Sequence, residues 1–259
     1  MKHIKSTAHD VMALFDRDLT VAQIAEPLLA FDEQTPASEA RKEMEAREFD
    51  VAGVRSAGVV LGYVTRADLT RGTCGAHMQV LDPRVLIADS TPLLTALKKL
   101  AQQPRLFVMQ GDHVGAIVCK GDVQKIPVRL WLFGIISLLE MHLLRVIKLR
   151  HAETWQEYLA PERLAAAQAL YRTRVARGVD IDLPDCLQFC DKRDIVMQSA
   201  PLRHELPITS KRRTTTLLMR AEAIRNDIAH AQSITNYWPD VVGVAADIIA
   251  LLQQCERIT

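Results

Sequence analysis

The chain of 259 residues carries 32 Lys and Arg against 31 Asp and Glu, which leaves a formal net charge of +1. This length exceeds what one compact core usually holds and predicts two domains. Residues 1–126 hold 15 basic and 16 acidic side chains and residues 127–259 hold 17 and 15, so a chain that is basic throughout is excluded and any nucleic-acid surface must be local.

Cysteine and histidine usage gives no sign of disulfides or of a metal site. The five cysteines are odd in number and lack a paired metal-ligand spacing, and the eight histidines are scattered. We therefore expect reduced thiols and no bound metal. The N-terminus is charged and lacks an apolar secretory core, so the sequence predicts a cytoplasmic protein.

The first motif of chemical interest follows a predicted helix, residues 38–47, and two predicted strands. It reads Gly-Tyr-Val-Thr-Arg-Ala-Asp over residues 62–68. Gly62 lets the backbone approach a ligand, the Thr65 hydroxyl can reach a phosphate or a ribose, and the Asp68 carboxylate can accept hydrogen bonds from both ribose hydroxyls. This set of groups suits a nucleotide. Alternatively, Asp68 caps a following helix.

A weaker copy of this motif follows a second predicted helix, residues 93–102. It reads Ala-Ile-Val-Cys-Lys-Gly-Asp over residues 116–122. The two aspartates lie a little over fifty residues apart, which indicates the duplication of a unit made of a helix, two strands and a helix. Cys119 stands where the first copy has its threonine, and Ala116 where it has its glycine. We expect one strong nucleotide site and one weak or empty site.

Residues 19–125 resemble a tandem pair of CBS domains, whose pattern is Gly, two apolar residues, Thr or Ser, two further residues and Asp. The first repeat matches it at three positions, and Asp122 alone matches fully in the second. The resemblance implies an α+β regulatory module, residues 1–126, that binds an adenine-type nucleotide in the cleft between its repeats. The ligand-binding residues that it implies are Gly62, Thr65, Asp68, Cys119 and Asp122.

The second half of the chain is predicted to be all-α. The predicted helices span residues 128–150, 161–177, 183–199, 210–232 and 239–256, with loops at 178–184 and 201–209. Glu140, His142 and Arg145 interrupt the apolar run at 130–139 short of the ~20 apolar residues that a membrane span needs. The run therefore predicts a buried helix or a dimer contact, and no membrane partner.

The fourth of these helices carries Arg225, Asn226 and His230, with Ser210 as its expected N-cap. Asn226 and His230 lie one helical turn apart, so the amide can orient the imidazole. Arginine offers a planar fork of donors for phosphate, and histidine exchanges a proton near neutral pH, so the pair suits phosphodiester cleavage. Alternatively, Arg225 pairs with Glu222 and His230 is an ordinary surface histidine.

A local basic patch precedes this motif. Lys211, Arg212 and Arg213 fall in the first helical turn, and Arg220 follows. Cations at a helix N-terminus oppose the macrodipole, which is easier to explain if an anion binds there. We expect these four side chains to bind RNA, and the alternative is a solvated helix start.

Residues 128–259 resemble the HEPN superfamily, small helical domains whose ribonuclease members carry an Arg, four to six residues and a His. Arg225, Asn226 and His230 match this pattern and are the catalytic residues that it implies. The resemblance implies a metal-independent site without a cofactor, formed where the motifs of two subunits meet in a homodimer. It also implies a supporting acidic residue in an early helix, for which Glu140 is the candidate. Alternatively, Glu140 pairs with Arg145.

These interpretations combine into one hypothesis, a nucleotide-sensing endoribonuclease in which the CBS-type pair regulates the composite site of residues 127–259. The runner-up is a non-catalytic sensor whose helical domain is a platform for dimerisation or for docking a partner or RNA. A third interpretation makes the helical domain the target of a modifying partner. Whether the protein is an enzyme, which nucleotide and RNA it binds, and whether it acts as a toxin or defence factor stay open.

Overall fold

The computed structural model describes residues 17–206 and 208–258 together with Thr7, His9, Asp10 and Ala13. It divides into an α/β unit that ends at Pro127 and a helical unit that starts at Val128. The sequence predicts this boundary one residue earlier. The four described residues before position 17 group with the helical unit, although the sequence places them in the first domain.

The α/β unit contains eight strands and two α-helices among its described residues. In chain order they are β1 (Glu26–Pro27), β2 (Ala30–Asp32), α1 (Ala37–Ala46), β3 (Val51–Ser56), β4 (Val59–Thr65), β5 (Gln79–Val80), β6 (Leu86–Ala88), α2 (Leu93–Leu100), β7 (Arg105–Gln110) and β8 (His113–Cys119). Short 3-10 helices span Val21–Gln23, Cys74–His77, Pro83–Val85 and Lys120–Gln124.

Two four-stranded sheets are formed, in the orders β2-β3-β4-β5 and β1-β8-β7-β6. Each repeat contributes a parallel pair joined through a helix and an antiparallel hairpin. The fourth strand of each sheet precedes the other repeat in the chain, since β5 pairs with β4 and β1 pairs with β8. The β-ladders of the two hairpins shift register at Val54/Arg55 and at Val108/Met109, which are equivalent positions of the repeats. The predicted α+β duplication is confirmed.

The repeat helices follow the expected hydrophobic spacing. In α2, Leu93, Ala96, Leu97 and Leu100 are buried, which is the i, i+3, i+4, i+7 pattern of a helix with one apolar face. The helix predicted after the first motif is absent from the described chain, where a turn and the 3-10 helix Cys74–His77 replace it. Gly72 lies in this segment at φ +86°, a left-handed conformation that an α-helix does not contain.

The helical unit contains six α-helices among its described residues, which confirms the predicted all-α half. They are α3 (Ile126–Arg150), α4 (Pro161–Ala176), α5 (Phe189–Gln198), α6 (Ala200–Glu205), α7 (Lys211–Ala229) and α8 (Asp240–Ile258). Short 3-10 helices span Trp155–Tyr158, Leu183–Cys186 and Thr235–Tyr237. Helix α7 packs against both α5 and α8.

Two predicted boundaries in this unit are wrong. The single helix predicted at residues 183–199 is a 3-10 turn followed by α5, and the predicted loop at 201–209 begins with α6. The Ser199 hydroxyl accepts a hydrogen bond from the Leu202 backbone N–H and so caps α6. Pro201 then occupies the first turn of α6, where a proline costs no hydrogen bond. The proline therefore starts a helix rather than a loop.

Helix α3 is largely internal to its unit. Its Trp131, Ile135, Leu139 and Leu143 side chains are almost fully buried. By length and composition it is the one helix of the described chain that could cross a membrane, with a mean hydropathy of 1.8, and 56% of that apolar window is buried inside the protein. Glu140, His142 and Arg145 interrupt the apolar run as the sequence indicates, while the helix itself continues through them to Arg150. A core helix of a soluble protein meets the same length and composition test.

Candidate functional site

A cleft of about 260 Å³ lies in the α/β unit between segments of its two repeats. One wall is β1 with the two residues after it, and the second is the segment that leads into β3. The third wall is the end of β8 with the 3-10 helix that follows. The apolar lining residues are Pro27, Leu28, Leu29, Phe49, Val51 and Ile117, and the remaining lining residues include Cys119 and Asp122.

Asp122 lies in the 3-10 helix Lys120–Gln124, and its side chain is 12% exposed. Its Oδ2 atom accepts a hydrogen bond of 2.7 Å from the Cys119 backbone N–H. Its Oδ1 atom lies 2.9 Å from Lys125 Nζ. Both carboxylate oxygens are therefore engaged, one by the backbone and one by a side-chain cation.

Lys125 joins three groups at this end of the cleft. Its Nζ atom donates a hydrogen bond of 2.6 Å to the Ile24 carbonyl oxygen and forms ion pairs with Glu26 and Asp122. Burial works to lower the pKa of Lys125, but the hydrogen bonds to the two carboxylates outweigh it and the pKa is raised. Lys125 therefore stays charged across the physiological range and holds the segment before β1 against the second repeat.

Cys119 occupies the place of the threonine in the first motif. Burial raises the pKa of its thiol above the usual value, with a further contribution from the charge of Asp122. Near neutral pH the side chain is consequently an uncharged thiol, which is a weak hydrogen-bond donor. It offers a ligand much less polarity than a hydroxyl would.

The first motif is arranged differently. The Thr65 hydroxyl donates a hydrogen bond of 2.6 Å to Asp68 Oδ2, and Gln79 Nε2 donates one of 2.7 Å to the same oxygen. Asp68 is exposed. Neither Thr65 nor Asp68 lines the cleft described above. Their assignment as ligand-binding residues stays a prediction.

Gly62 has a packing reason for lacking a side chain. A Cβ atom at this position would lie 2.4 Å from the Gln79 carbonyl oxygen and 2.4 Å from the Met78 side chain. Strand β4 pairs with β5 at this point. The space beside Gly62 is therefore filled by the neighbouring strand, whereas the motif predicts a ligand in that space.

The cleft described above lies at the motif that the sequence expects to give the weaker nucleotide site. The sequence predicts the strong site at Thr65 and Asp68 and a weak one at Asp122, but the cleft lies at Asp122. Its walls come from β1 and from the segment before β3, which lie outside both motifs. Asp122 therefore lines an enclosed volume although its motif matches the family pattern less well than the first motif does.

In the helical unit, Arg225 is held between neighbouring helices. Its Nη1 atom lies 3.5 Å from Glu140 Oε2 on α3, and its guanidinium lies 5.9 Å from the ring centroid of Phe189 on α5. The Arg225 Nε atom is buried and has no hydrogen-bond partner among the described residues. The side chain as a whole is 29% exposed, so part of the guanidinium reaches solvent.

Glu140 also accepts a hydrogen bond of 2.8 Å from Lys192 on α5, and both side chains are largely buried. One carboxylate thus links α3, α5 and α7. The two alternative ion pairs named from the sequence do not match this arrangement. Glu222 pairs with Arg193 at 2.9 Å, and Arg225 and Lys192 are the cations at Glu140.

His230 lies just beyond the end of α7. The helix predicted to reach residue 232 ends at Ala229, and His230 is its exposed C-cap residue. The physical reason is a set of contacts at the helix end, where the Arg129 guanidinium donates hydrogen bonds to the carbonyls of Ile228 and Gln232. Ala231 then takes a left-handed conformation at φ +56°.

Asn226 and His230 are linked through the backbone, where the His230 N–H donates to the Asn226 carbonyl. No hydrogen bond between their side chains is found in the described part of the chain. Asp227 accepts a hydrogen bond of 2.6 Å from the Tyr237 hydroxyl. Burial, followed by this hydrogen bond, raises the pKa of Tyr237 to about 12. Asp227 therefore helps to anchor the segment after α7.

The predicted RNA-binding side chains lie along the start of α7. Ser210 is confirmed as the N-cap, since its hydroxyl accepts a hydrogen bond from the Arg213 backbone N–H. A surface groove of about 350 Å³ is lined by Arg212, Arg213 and Arg220 together with Asp247 of α8. Arg213 lies 3.3 Å from Asp247 and Arg220 lies 3.9 Å from Asp240, so two of the cations are partly neutralised. Lys211 is exposed beside this groove.

Neither the cleft beside Asp122 nor the region around Arg225 has the ligand set of a metal centre. Among the described residues, no group of three or more His, Cys, Asp or Glu side chains is arranged to hold a metal ion.

No family model matches this chain, and no curated protein matches it. Several solved structures are similar to part of the chain. Arabidopsis thaliana CBSX2 in complex with AMP is 21% identical over 40% of this chain and 92% of its own, with a TM-score of 0.36. A putative acetoin utilization protein from Vibrio cholerae is 17% identical over 43% and 92%, with a TM-score of 0.39. The CBS domain of a bacterial CNNM/CorC family Mg²⁺ transporter in complex with ATP is 12% identical over 47% and 94%, with a TM-score of 0.38.

The N-terminal part of this chain is similar to CBS-pair proteins. The similarity covers about 45% of the chain. The helical unit lies outside it, and the HEPN-like interpretation of that unit stays a prediction.

Several residues at these sites escape sequence reasoning. Lys125 and Glu26 meet at the cleft because β1 joins the sheet of the second repeat. Their positions in the chain are about a hundred residues apart, so no local pattern connects them. Phe189 and Lys192 are likewise found beside the Arg225 site by packing alone. Strands β1 and β5 hold equivalent places in the two sheets. The repeat spacing, counted back from β5, is the signal that could have indicated β1.

Proposed function

We propose that this protein senses an adenine-type nucleotide through the cleft beside Asp122. The observation that carries the proposal is the cleft itself, which has apolar walls and a carboxylate with fixed orientation at one side. Pockets of this kind, mostly apolar with a few placed polar groups, are typical of small-molecule sites. The walls suit a flat base, and the carboxylate suits the hydroxyls of a ribose.

Asp122 is prepared for this role by its hydrogen bonds. The Cys119 backbone N–H fixes the Oδ2 atom, while Lys125 contacts the Oδ1 atom. In our proposal a ribose hydroxyl takes the place of the Lys125 ammonium at Oδ1. Nucleotide binding therefore changes the partner of Lys125 without moving the backbone bond that orients Asp122.

Isothermal titration calorimetry of the full chain tests this proposal. AMP and ATP, the nucleotides bound in two of the similar structures, are measured first, followed by ADP, adenosine and GMP. The Asp122→Asn variant keeps the side-chain shape but loses the charge, and we expect it to bind at least about tenfold more weakly, a loss of ~1.4 kcal/mol. The matched variant Asp112→Asn, in the hairpin between β7 and β8, should bind as the unchanged protein does. Equal affinity of Asp122→Asn and the unchanged protein would contradict the assignment.

For the helical unit we propose a metal-independent endoribonuclease site that is completed in a homodimer. The observation that favours it is the fixed Arg225, which Glu140 and Phe189 hold while part of its guanidinium stays exposed. His230 is exposed at the end of the same helix. In the proposed reaction His230 exchanges the proton of a ribose 2′-hydroxyl or of the leaving oxygen, and Arg225 stabilises the charge on the phosphate.

Incubation of the purified protein with labelled RNA in the presence of a chelator tests this site. We expect products with 2′,3′-cyclic phosphate ends, lost in Arg225→Ala and in His230→Ala. RNA binding by His230→Ala should persist, since that variant removes the proton-exchanging group and no basic side chain of the α7 patch. Cleavage that survives both substitutions would exclude the site.

The alternative function is a non-catalytic sensor whose helical unit serves for dimerisation or RNA docking. The observation in its favour is that His230 lies outside the helix and shares no side-chain hydrogen bond with Asn226 among the described residues. Such a protein binds RNA without turnover under every condition of the assay above. Dimerisation, measured by sedimentation, would then persist in His230→Ala.

Regulation is proposed to pass through Lys125, because α3 begins at the next residue. A ligand that takes Asp122 from Lys125 alters the contacts of the residue directly before this helix. A ligand shifts an equilibrium only if it binds the two arrangements unequally. Saturating nucleotide that changes neither the cleavage rate nor the sedimentation of the dimer would exclude this coupling.

A further inference from the structure

The carboxylates around the cleft narrow the class of ligand that it can take. Four of its lining residues are acidic, namely Glu26, Glu48, Asp50 and Asp122. No Lys, Arg or His is found among the described residues that line it. Sites that bind several phosphates usually present basic side chains or a row of backbone N–H groups to them.

The two cations that contact these carboxylates are already engaged. Lys125 Nζ contacts Asp122, Glu26 and the Ile24 carbonyl oxygen. Arg66 Nη2 lies 2.7 Å from Asp50 Oδ1. Counting these two cations and Arg105, whose charge acts on the lining residue Cys119, against the four carboxylates leaves a formal net charge of −1 around the cleft. A ligand therefore enters a negative field.

The size of the cleft agrees with this charge. About 260 Å³ lies slightly below the roughly 300–1,000 Å³ of pockets for drug-sized ligands. A base and a ribose suit such a volume, whereas a chain of phosphates would extend past the carboxylates at its rim. Asp50 is at that rim, with 81% of its side chain exposed.

We propose that this cleft selects adenine ligands of low negative charge, adenosine and AMP, over ADP and ATP. The selection rests on the nucleotide-sensing function proposed above. Each additional phosphate adds negative charge facing Glu48 and Asp50, and no basic side chain among the described lining residues offsets this repulsion. The apolar walls and Asp122 contribute equally to the binding of all four ligands. The difference between the four affinities therefore measures the effect of the negative charge around the cleft.

Calorimetric titration of the full chain with adenosine, AMP, ADP and ATP, without Mg²⁺ and at low salt, tests the inference. We expect the affinity to fall in that order, with ATP at least about tenfold weaker than adenosine. Because salt screens charges, raising NaCl from about 0.05 M to about 0.5 M should strengthen ATP binding and leave adenosine binding unchanged. An added excess of Mg²⁺, which neutralises phosphate charge, should likewise narrow the gap.

The variant Glu48→Asn removes one carboxylate with little cost to folding. Glu48 has a φ of 57°, a left-handed conformation that asparagine adopts more readily than most residues. We expect this variant to narrow the ratio of adenosine to ATP affinity by at least about threefold. The control Asp112→Asn makes the same charge change at the hairpin tip that precedes β8, at the opposite end of that strand from Cys119. It should leave the ratio unchanged.

The outcomes separate this inference from the function on which it rests. If none of the four ligands binds, the nucleotide-sensing function itself fails. If ATP binds at low salt as tightly as adenosine, or if Glu48→Asn leaves the ratio unchanged, adenine sensing stands and the charge selection is overturned. The charge selection is supported if the affinities fall in the expected order and if Glu48→Asn narrows the ratio of adenosine to ATP affinity while Asp112→Asn does not.

Discussion

Lys125 Nζ lies 2.9 Å from Asp122 Oδ1, the oxygen that we propose as the acceptor for a ribose hydroxyl. The carboxylate of the proposed nucleotide site is thus already paired with a neighbour in the chain. Asp122 and its ion-pair partner are both mostly buried, with side chains 12% and 28% exposed. Competition between a ribose hydroxyl and Lys125 for Asp122 Oδ1 is the simplest physical link between the proposed ligand binding and α3, since Lys125 directly precedes this helix.

Replacing Lys125 by Met should separate stability from binding. The variant removes two ion pairs and the hydrogen bond to Ile24, so we expect the free energy of unfolding to fall by about 1 kcal/mol. Asp122 Oδ1 is freed at the same time, and the affinity for adenosine should rise. Urea unfolding and calorimetry measure the two effects, and a parallel decrease of both stability and affinity would contradict the competition.

Gly62→Ala is expected to destabilise the α/β unit by about 1–3 kcal/mol, because its Cβ would lie 2.4 Å from atoms of Met78 and Gln79. The matched substitution Gly121→Ala places a Cβ where no atom lies within 4 Å. It should leave the unfolding midpoint nearly unchanged. Thermal unfolding of the two variants without ligand compares them, and equal midpoints would exclude the packing role of Gly62.

Glu140→Gln should be among the single substitutions that most lower the free energy of unfolding of the helical unit. It leaves Lys192, 8% exposed, and Arg225 without their shared carboxylate, and breaking a buried pair in this way costs about 3 kcal/mol. Glu205→Gln removes a carboxylate that pairs with Arg150 in a more exposed place and should cost less than about 1 kcal/mol. Urea denaturation followed by circular dichroism distinguishes the two, and equal costs would show that the Glu140 cluster is not structural.

Alkaline pH should destabilise the helical unit. Burial raises the pKa of Cys255 from 9.0 to about 12, so the folded state holds this proton more tightly than the unfolded state. The resulting stability is fully present below pH 9 and is lost as the pH rises towards 12. Unfolding midpoints in urea should fall through this window, and less steeply in Cys255→Ala. Tyr237→Phe controls for the overlapping titration of Tyr237.

RNA binding should depend on the start of α7 through charge. Changing Lys211, Arg212, Arg213 and Arg220 together to Gln should reduce the slope of log affinity against log salt, by about 0.7 for each phosphate of single-stranded RNA that the variant no longer neutralises. The same change at Arg172, Arg174 and Arg177 at the end of α4 is the control, since it also removes exposed cations. If both multiple variants show the same slope of log affinity against log salt, the RNA-binding surface does not lie at the start of α7.

Local patterns were sufficient for much of the fold. The spacing of Leu93, Ala96, Leu97 and Leu100 predicts α2, and the repeated motif spacing predicts the duplicated sheets. Ser210 is found as the cap of α7 because a cap depends on its own neighbours in the chain. Each of these features is decided by residues close in the chain or by a simple repeat.

Features set by distant residues could not be predicted. The end of α7 depends on Arg129, which lies about a hundred positions earlier and contacts the last carbonyls. Spacing along the chain favours Glu222 as the partner of Arg225, but Arg193 from α5 pairs with Glu222. The partner is Glu140, which only the family resemblance suggested for this site. The cleft at Asp122 depends on Glu26 and the strand β1 in the same way.

The exchange of outer strands between the two repeats sets an order for folding during synthesis. The first sheet can close once Val80 has left the ribosome, because all four of its strands are then available. Strand β1 must wait for Ile117, its partner in the second sheet. Throughout that interval a nascent chain carries β1 unpaired, and a truncated product that stops between these two points has no partner strand for it.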